Sequence, residues 1–473
     1  LRHTYNIRMI WWGAEAMVKT SIIVLTYNQL ALTKQCLESI WKHTNNDCIE
    51  IIVVDNGSHD GTRDYLKQIS SIRTIFNKTN EGFAKACNQG LEAASGDSIL
   101  FLNNDTIVTN QWLEPMIKLL YQDDKIGMVG PVSNYVSGLQ QVPVDYTNVE
   151  GIEDFSRLYC LQQRGKSRAV LRLVGFCLLV KKEVLDEVGG FDERYEGGSF
   201  EDDDLCLRVL QAGYQLKIAL DSFVHHHGHA TFTGNPDLSI SRLYEENRQR
   251  FIDKWKVDVT AFFDSQPQLT ALVPAEASSI LHIGCGAGAA GAELLNRQTC
   301  TLYGIEEDAL LQTVASAYYE QVISADLTHD PPYPEAFFDV ILIGDLLNCS
   351  MNPRLTIETL AVYLKPSGSL ICCIPNIAYA DTLFSLLCGT STYTHFITPR
   401  NVNTLFPEYL YNIKSTTSHS TKTKTNIMLF LQELQFLAGQ FGLSLDHLSK
   451  HAHIDYMFVH AIKKKQNETE VAM

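Results

Sequence analysis

Three polar stretches each follow a run of apolar residues that is typical of a buried β-strand. At such positions Asp55 could accept hydrogen bonds from a nucleobase or ribose, and Asp105 could hold a divalent cation that neutralises a diphosphate. Taken singly, each stretch is also typical of a turn or a helix cap. Together they predict a ligand site where the strands of an open sheet end. The stretches are Thr26-Tyr27-Asn28, Asp55-Asn56-Gly57-Ser58 and Asn103-Asn104-Asp105.

An acidic run and a histidine run follow in the same half of the chain. Glu201-Asp202-Asp203-Asp204 could supply a carboxylate that removes a proton from an acceptor hydroxyl. The same run could instead favour the positive end of a helix, with Asp204 and Arg208 paired at four-residue spacing. Neutral imidazoles in His225-His226-His227 suit a divalent metal, and an independent zinc site in this cluster is the alternative.

A glycine-rich turn marks the second half of the chain. Gly284, Gly286 and Gly288 follow the apolar run 280–283, and glycines let the backbone approach a nucleoside closely. The spacing also fits dinucleotide fingerprints, so an NAD-binding domain stays open at this point. Glu306, at the end of the next predicted strand, could hold ribose hydroxyls in either case.

The elements that would position these groups alternate between β-branched runs and amphipathic segments. From Thr20 this alternation predicts βαβ units around a parallel sheet, and a second series begins at Ser279. At 473 residues, with 45% hydrophobic and 19% charged residues, the chain is expected to form two globular domains. We predict a leader at 1–16 outside the fold, domains at 17–262 and 279–463, a linker at 263–278 and a disordered tail at 464–473.

Charge and cysteine usage limit the partners and the compartment. A formal net charge of −16 argues against nucleic acid as a partner. Twelve scattered cysteines without a Cys-x-x-Cys pair fit reduced thiols better than a disulfide framework. No stretch approaches the roughly 20 apolar residues of a membrane-spanning helix, and no signal-peptide pattern is present. These features predict a cytoplasmic protein without a transmembrane segment.

From about Thr20 to Lys256 the sequence resembles the family 2 glycosyltransferases of the GT-A fold. The segments that carry this resemblance are 21–28, 53–58, 80–90, 102–105, 190–193 and 201–208. The resemblance implies a nucleotide-sugar donor, Mn²⁺ or Mg²⁺, Asp202 as the catalytic base, and Asp105 and His226 as metal ligands. Asn103 replaces the first acid of the family's Asp-x-Asp metal motif, which leaves Asp105 as the charged ligand. The residues that the resemblance places on the nucleotide sugar are Thr26, Tyr27, Asn28, Asp55, Asn80, Gly82, Asn88, Asn103, Asn104 and Glu201.

From about Ser279 to Lys463 the sequence resembles the class I methyltransferases, which have a Rossmann-like fold. The segments that carry this resemblance are 324–327, 338–347, 364–368 and 374–376. The resemblance implies S-adenosyl-L-methionine at the glycine turn, its ribose on Glu306 and its adenine near Asp326. The sequence does not name a base toward the methyl acceptor: Asp345 and Asn376 are candidates by position, and a structural role is the alternative for each. The residues predicted to bind the cofactor are Gly284, Gly286, Gly288, Glu306, Asp326, Leu327 and Asp345.

We therefore expect an α/β protein in which an inverting glycosyltransferase of bacterial polysaccharide biosynthesis is joined to a methyltransferase acting on the same glycan. The acceptor would be a glycan or a lipid-linked glycan, which would bring the protein to the periphery of the inner membrane. A processive synthase is disfavoured because its membrane helices and Gln-x-x-Arg-Trp motif are absent. NAD binding and a non-catalytic interaction module are the alternatives for the second domain.

Overall fold

The computed structural model describes residues 19–45, 48–228, 240–262, 265–325, 333–344, 352–379, 397–420 and 453–465, with isolated positions between 382 and 451. The chain divides after Val259 into two compact units. Four predicted features lie outside the described residues: the leader at 1–16, the pair Asp326 and Leu327, Asp345, and the tail beyond 465. No helix in the described ranges is long and apolar enough to cross a membrane.

The first unit is built on a nine-stranded mixed sheet with the order β3-β2-β1-β4-β8-β6-β9-β5, and β7 pairs with β9. Strands β1 to β4 run parallel, whereas β8 is antiparallel to both β4 and β6. The elements are β1 (Thr20–Thr26), α1 (Leu30–His43), β2 (Ile49–Asp55), α2 (Thr62–Leu66), β3 (Arg73–Phe76), α3 (Phe83–Ala93), β4 (Ser98–Asn103), β5 (Thr106–Val108), α4 (Leu113–Leu120), β6 (Ile126–Val132), α5 (Ile152–Gln162), β7 (Ser167–Val170), β8 (Cys177–Lys181), α6 (Lys182–Val188), α7 (Glu201–Gln211), β9 (Gln215–His226) and α8 (Ile240–Trp255).

The parallel strands of this sheet are near-continuous apolar runs because helices cover both of their faces. Ile22, Val24, Val53 and Leu100 are buried in one core cluster, against which the fully buried Trp112 also packs. The Trp112 indole N–H donates to the Thr44 hydroxyl at 3.0 Å, which satisfies its one polar atom inside the core. The rigid sheet therefore fixes the positions of the residues at its strand ends.

The second unit contains a seven-stranded sheet with the order β12-β11-β10-β13-β14-β16-β15. Strands β12 to β14 in this order are parallel, and β16 is antiparallel to both β14 and β15. The last strand of the chain, β16, thus lies between β14 and β15, which departs from the six-stranded order of dinucleotide-binding domains. The elements are α9 (Pro267–Thr270), β10 (Ser279–Ile283), α10 (Ala289–Arg297), β11 (Thr301–Ile305), α11 (Ala309–Ala315), β12 (Gln321–Ile323), β13 (Phe338–Ile343), α12 (Pro353–Leu360), β14 (Leu364–Pro375), β15 (Tyr411–Ser420) and β16 (Ile454–Lys463).

The described part of the predicted linker, residues 265–278, packs on the second unit. It contains α9, in which Leu269 is fully buried. The Arg297 guanidinium donates to the carbonyls of Thr270 at 2.8 Å and Val273 at 2.9 Å, and so ties the segment to α10.

Candidate active sites

Three of the residues predicted to bind the nucleotide sugar end adjacent strands of the first sheet. The parallel register pairs Thr26 with Asp55, and Leu25 with Asn103. The carboxyl ends of β1, β2 and β4 therefore meet at one edge. Thr26 and Asp55 are fully buried there.

A small network of hydroxyl and amide groups holds Thr26 in place. Its hydroxyl lies 2.7 Å from that of Thr33 on α1. The Asn104 amide nitrogen lies 3.0 Å from the Thr33 hydroxyl and 3.3 Å from the Thr26 hydroxyl. Asn104 and Thr33 thus connect strand β1 to helix α1. The sequence did not indicate this role for either residue.

The buried carboxylate of Asp55 is compensated by Arg63. The Arg63 Nε atom lies 3.4 Å from Asp55 Oδ2, and the Arg63 guanidinium also donates to the Asn77 carbonyl at 3.0 Å and lies over the Phe76 ring. A cation is needed because an unpaired buried carboxylate is costly. Sequence reasoning missed Arg63, which lies eight residues beyond Asp55 on the short helix α2.

The loops after β1 and β2 are tied together beside Asp55. The Asn28 amide nitrogen of the main chain donates to the Ser58 hydroxyl at 2.7 Å, and the Asn28 side-chain oxygen accepts from the His59 N–H at 2.8 Å. Asn28 has a φ of 55°, a left-handed conformation that Asn tolerates better than most residues. Tyr27, just before it, is half-buried.

Asn80 and Gly82 form the turn that starts α3. The Asn80 side-chain oxygen accepts from the Gly82 N–H at 3.0 Å and from the Asn56 side chain at 2.8 Å, and Gly82 has a φ of 86°. Asn88, one turn along α3, instead pairs both of its amide groups with the main chain of Phe191 at 2.9 Å. Its side chain therefore holds α3 to the segment that leads to α7.

Asp105 and His226 face each other across the pairing of β5 with β9. Asp105 Oδ1 is buried, lies 3.3 Å from His226 Nε2, and forms no hydrogen bond with any described residue. His226 Nδ1 lies 2.8 Å from the Tyr135 carbonyl, which can only accept, so Nδ1 carries the proton. In the neutral ring, Nε2 therefore directs its lone pair toward Asp105. Burial alone would lower the pKa of His226, but the Asp105 carboxylate and the Tyr135 carbonyl raise it.

The neighbouring histidines point elsewhere because successive strand residues face opposite sides of a sheet. His225 Nδ1 lies 2.7 Å from the Tyr146 hydroxyl, and burial and the two adjacent histidines lower the pKa of His225 to about 4. His227 Nε2 lies 3.0 Å from the Gln35 side-chain oxygen. Of the three, only His226 is within ion-pair distance of Asp105 among the described contacts.

The four acids of the run 201–204 form the first turn of α7 and are all buried, but their partners differ. Asp204 accepts from Lys254 at 2.5 Å, from the Trp255 indole at 2.9 Å and from Arg208 at 2.9 Å. Asp203 accepts from Arg172 Nε at 2.5 Å. These two carboxylates are neutralised by cations, which is a structural use of the run.

Asp202 is held by main-chain groups instead. Its Oδ2 accepts from the Gly175 N–H at 2.8 Å, and its Oδ1 accepts from the Asp203 N–H at 2.9 Å. Beside it, Glu201 Oε2 is buried without a hydrogen-bond partner among the described residues. Burial and the charge of Asp202 raise the pKa of Glu201 well above its ordinary value.

The dipeptide Gly175-Phe176 connects Asp202 to the Asp105–His226 pair. Gly175 donates its N–H to Asp202, and the next residue, Phe176, stacks its ring on His226 with centroids 5.2 Å apart. The Phe176 carbonyl also accepts from the Asn103 N–H at 2.9 Å, at the end of β4. The acidic turn, the histidine and the strand end are thus assembled around two residues that precede β8.

In the second unit the predicted glycine turn lies at the end of β10. Gly284, Gly286 and Gly288 have φ values of 69°, 54° and 94°, so the turn is left-handed at each glycine. A Cβ on Gly286 would meet no atom within 4 Å, which leaves open space above the turn. Glu306 Oε2 accepts from the Gly286 N–H at 2.8 Å, so the acid at the end of β11 lies directly beside the turn.

Asn376, which the sequence singled out, lies at the same edge of this sheet. So does the pair of His419 and Asp455, which sequence reasoning missed. Asn376 is fully buried, and its side-chain nitrogen donates to the carbonyls of His451 at 3.0 Å and Ile454 at 2.8 Å. These contacts favour the structural alternative for Asn376 over a role toward the methyl acceptor. Next to it, His419 Nδ1 lies 3.0 Å from Asp455 Oδ1.

Comparisons with known proteins agree with the two units. Residues 21–189 match the family model described as glycosyl transferase family 2, and residues 281–372 match the one described as methyltransferase domain. The chain therefore joins a family 2 glycosyltransferase domain to a methyltransferase domain. The first domain has the GT-A fold and the second a Rossmann-like methyltransferase fold. Asp202 and His226 lie beyond the matched residues of the glycosyltransferase model.

Individual relatives share parts of the chain. An uncharacterized protein, y4gI, of Sinorhizobium fredii is 28% identical over 51% of this chain and 27% of its own length. Glycosyltransferase AglE of Haloferax volcanii is 28% identical over 42% of this chain and 64% of its own length. The chain thus spans less than two thirds of either relative. GalNAc-T7, solved with UDP, GalNAc and Mn²⁺, aligns with 54% of this chain and 52% of its own at 18% identity and a TM-score of 0.41.

Proposed function

We propose that the glycosyltransferase domain is inverting and metal-dependent. The observation that carries this proposal is the Asp105–His226 pair, linked through Gly175-Phe176 to Asp202. The Asp105–His226 pair can bind a cation, and Asp202 can accept a proton. Two adjacent residues just before β8 contact both groups: Gly175 donates to Asp202, and Phe176 stacks on His226. The cation would stabilise the leaving diphosphate, and the base would accept the proton of the acceptor hydroxyl.

The residues present fit a divalent cation. Asp105 Oδ1 is a buried carboxylate oxygen without a hydrogen bond among the described residues, and a lone pair of His226 Nε2 points toward it. Two electron-rich atoms in contact require a proton or a metal ion between them. Carboxylate oxygen suits Mn²⁺ or Mg²⁺, and the imidazole nitrogen favours Mn²⁺ of the two. A bound cation would neutralise the charge that develops on the leaving diphosphate.

Asp202 is the acid best suited to act as the base. The contacts of its two oxygens are with the N–H groups of Gly175 and Asp203, which orient the carboxylate. Among the described residues, the nearby Arg172 guanidinium donates to Asp203 rather than to Asp202. In the proposed reaction it takes the proton of the acceptor hydroxyl as that oxygen attacks the anomeric carbon opposite the diphosphate. Glu201 beside it has a buried Oε2 without a hydrogen-bond partner among the described residues, so it is a candidate for contact with the donor sugar.

We assign the nucleoside to the edge formed by Thr26 and Asp55. Asp55 is buried and balanced by Arg63, and it can accept from the N–H groups of a base or from ribose hydroxyls. Tyr27, Asn28, Asn80, Gly82 and Asn103 line the loops around this edge and remain candidates for contact with the donor. Asn88 and Asn104 support these loops through the contacts described above.

We further propose that the methyltransferase domain binds S-adenosyl-L-methionine at the turn of Gly284, Gly286 and Gly288. The open space above Gly286 and the adjacent Glu306 fit a nucleoside with its ribose on the glutamate. When bound, the cofactor would supply an electrophilic methyl group. The acceptor would be the glycan, free or lipid-linked, that the first domain extends, at the cytoplasmic surface of a bacterial inner membrane.

The first experiment is a screen of nucleoside diphosphates for thermal stabilisation of the full chain, with and without Mn²⁺. A ligand that binds only the native state raises the melting temperature, so the correct nucleotide should do so with Mn²⁺ and much less with EDTA. Stabilisation that is equal in EDTA would contradict metal dependence. S-adenosylhomocysteine and NAD, tested in the same way, separate the proposed second domain from an NAD-binding one, and no effect of either would favour an interaction module.

A further inference from the structure

The segment between β6 and β8 exposes an unusual share of apolar side chains. Among the described residues of the first unit, five of the six exposed large hydrophobic side chains lie within positions 135–161. The five are Tyr135, Leu139, Val149, Leu158 and Leu161, and the sixth is Tyr244. Single exposed apolar residues are ordinary, but a concentration in one segment indicates a binding surface.

Helix α5 shows the pattern most clearly. Its inner side packs on β9, where Phe155 meets Phe223 with ring centroids 5.1 Å apart. On its outer side Leu158 is 55% exposed and Leu161 is 67% exposed, and their three-residue spacing places them on one face. An outer helix face is normally polar, so these leucines are not explained by the packing of the fold.

Basic residues surround the two leucines. The stretch 157–168 contains Arg157, Arg164, Lys166 and Arg168 and no acidic residue, in a chain with a net charge of −16. The last turn of α5 contains no basic residue, and Arg164 and Lys166 lie beyond the end of the helix, where attraction to its negative end weakens.

Two acids border this stretch, and one of them neutralises Arg157, which leaves Arg164 and Lys166 as the cations beside the leucines. Asp154 pairs with Arg157 at 2.9 Å, and both side chains are well exposed. Asp221 accepts from the Gly165 N–H at 2.6 Å, which shapes the turn after α5.

We propose that this face, formed by Arg157, Leu158, Leu161, Arg164 and Lys166 and here termed the α5 surface, docks on an anionic lipid bilayer. The leucines would enter the interface, and the cations would bind the phosphates of the head groups. Arginine is common in protein interfaces as well, but their centres are depleted of lysine and enriched in aromatic residues, whereas the α5 surface contains Lys166 and no aromatic residue. Charge complementarity therefore selects a membrane over a protein partner.

The α5 surface belongs to the same substructure as the candidate metal site. Tyr146 packs against Phe155 of α5 and places its hydroxyl 2.7 Å from His225, the neighbour of His226. Docking would hold this part of the domain at the bilayer. If the proposed function is right, the arrangement brings a lipid-linked acceptor to the enzyme, although the membrane binding itself does not depend on catalysis.

The test is co-sedimentation of the full chain with vesicles of phosphatidylcholine alone and of phosphatidylcholine mixed with phosphatidylglycerol. We expect binding to the mixed vesicles, which added salt weakens, and little binding to phosphatidylcholine. Two double variants probe the surface: Leu158→Gln with Leu161→Gln, and Arg164→Glu with Lys166→Glu. Each should lower the partition coefficient at least about tenfold, since one Lys or Arg at an anionic surface contributes about a factor of five.

The matched control is Arg354→Glu with Leu355→Gln on α12 of the second unit, where both side chains are 52% exposed. This control should bind vesicles as the wild type does. All the substituted side chains are exposed, so the variants should keep the wild-type melting temperature. The proposal is overturned by absent binding of the wild type, by equal binding to both vesicle types, or by wild-type binding of the α5 variants. A self-association of the chain that the leucine variant abolishes, seen by analytical ultracentrifugation, would also overturn it.

Discussion

At the carboxyl edge of the first sheet, Asp105 Oδ1 and Glu201 Oε2 are buried and accept no hydrogen bond from the described residues. At the corresponding edge of the second sheet, Glu306 accepts from the main-chain N–H groups of Gly286, Glu307 and Asp308 at 2.8 to 3.1 Å. Buried acids without partners need a cation, a proton or a ligand, whereas a satisfied acid needs none.

This difference suggests how each site meets its ligand. In the first site the acids have oxygens free of protein hydrogen bonds among the described residues, so loss of one acid should remove binding or chemistry. In the second site the main chain of the turn already donates to the acid, so ribose hydroxyls would have to share or replace these main-chain donors. Substitutions can therefore test this difference between the two sites, because they act separately on the transfer reaction, on metal binding and on the shape of the glycine turn.

The largest effect is expected for Asp202→Asn. The amide keeps the size of the side chain but cannot take the proton of the acceptor, so turnover should fall by about 10²–10⁴ while donor affinity stays near that of the wild type. The measurement is kcat and donor affinity, once a donor is found. Asp203→Asn is the matched control and should be milder, because Asp203 pairs with Arg172. If the control is inactive and Asp202→Asn is active, the base is the neighbouring residue.

The next effect concerns the metal. Asp105→Ala should weaken Mn²⁺-dependent binding of a nucleoside diphosphate at least about 100-fold. Substitution of a residue that only hydrogen-bonds to a metal ligand already lowers metal affinity or activity about 10–100-fold, and Asp105 is proposed to be a ligand itself. Isothermal titration calorimetry with and without Mn²⁺ measures this. His225→Gln is the control: its ring contacts Tyr146 rather than Asp105, and affinity should be retained. Unchanged affinity in Asp105→Ala would refute the metal assignment.

In the second unit, Gly286→Asp should abolish binding of S-adenosylhomocysteine. The side chain would occupy the open space above the turn and place a second carboxylate beside Glu306. Aspartate tolerates the φ of 54°, so the domain should still fold, which circular dichroism can verify. Gly286→Ala is the smaller control and should bind more weakly than the wild type but more tightly than the aspartate variant. Tight NAD binding by the wild type would instead support the dinucleotide alternative.

The smallest effect is a pH dependence of metal binding. His226 must lose its proton from Nε2 to bind a cation, and the Asp105 carboxylate and Tyr135 carbonyl raise its pKa despite burial. Metal affinity should therefore fall about tenfold for each pH unit below that raised pKa, and level off above it. In Asp105→Asn, the remaining metal affinity should persist to lower pH, because the carboxylate that raises the pKa of His226 is gone. A flat pH profile in the wild type would exclude His226 as a ligand.

Much of the architecture was predictable because it depends on local periodicity. Alternating apolar strands and amphipathic helices indicated the parallel strands of both sheets but not the antiparallel strands β8 and β16. Polar residues after the parallel strands predicted ligand edges, and the register places Thr26 and Asp55 side by side at one such edge. Both families were confirmed by the matches at residues 21–189 and 281–372. These features follow from short-range sequence patterns, which a chain displays before it folds.

What only the tertiary structure decided is how chemically similar side chains are divided between roles. His225 and His226 have the same ring, yet strand alternation turns only His226 toward Asp105 among the described contacts. Asp202 and Asp204 have the same carboxylate, yet Lys254 from a distant helix neutralises Asp204. Asn376 likewise became a structural amide through contacts about 75 residues away. Partners so remote in sequence leave no periodic signal, so the sequence determined which groups were available and the fold determined which of them could react.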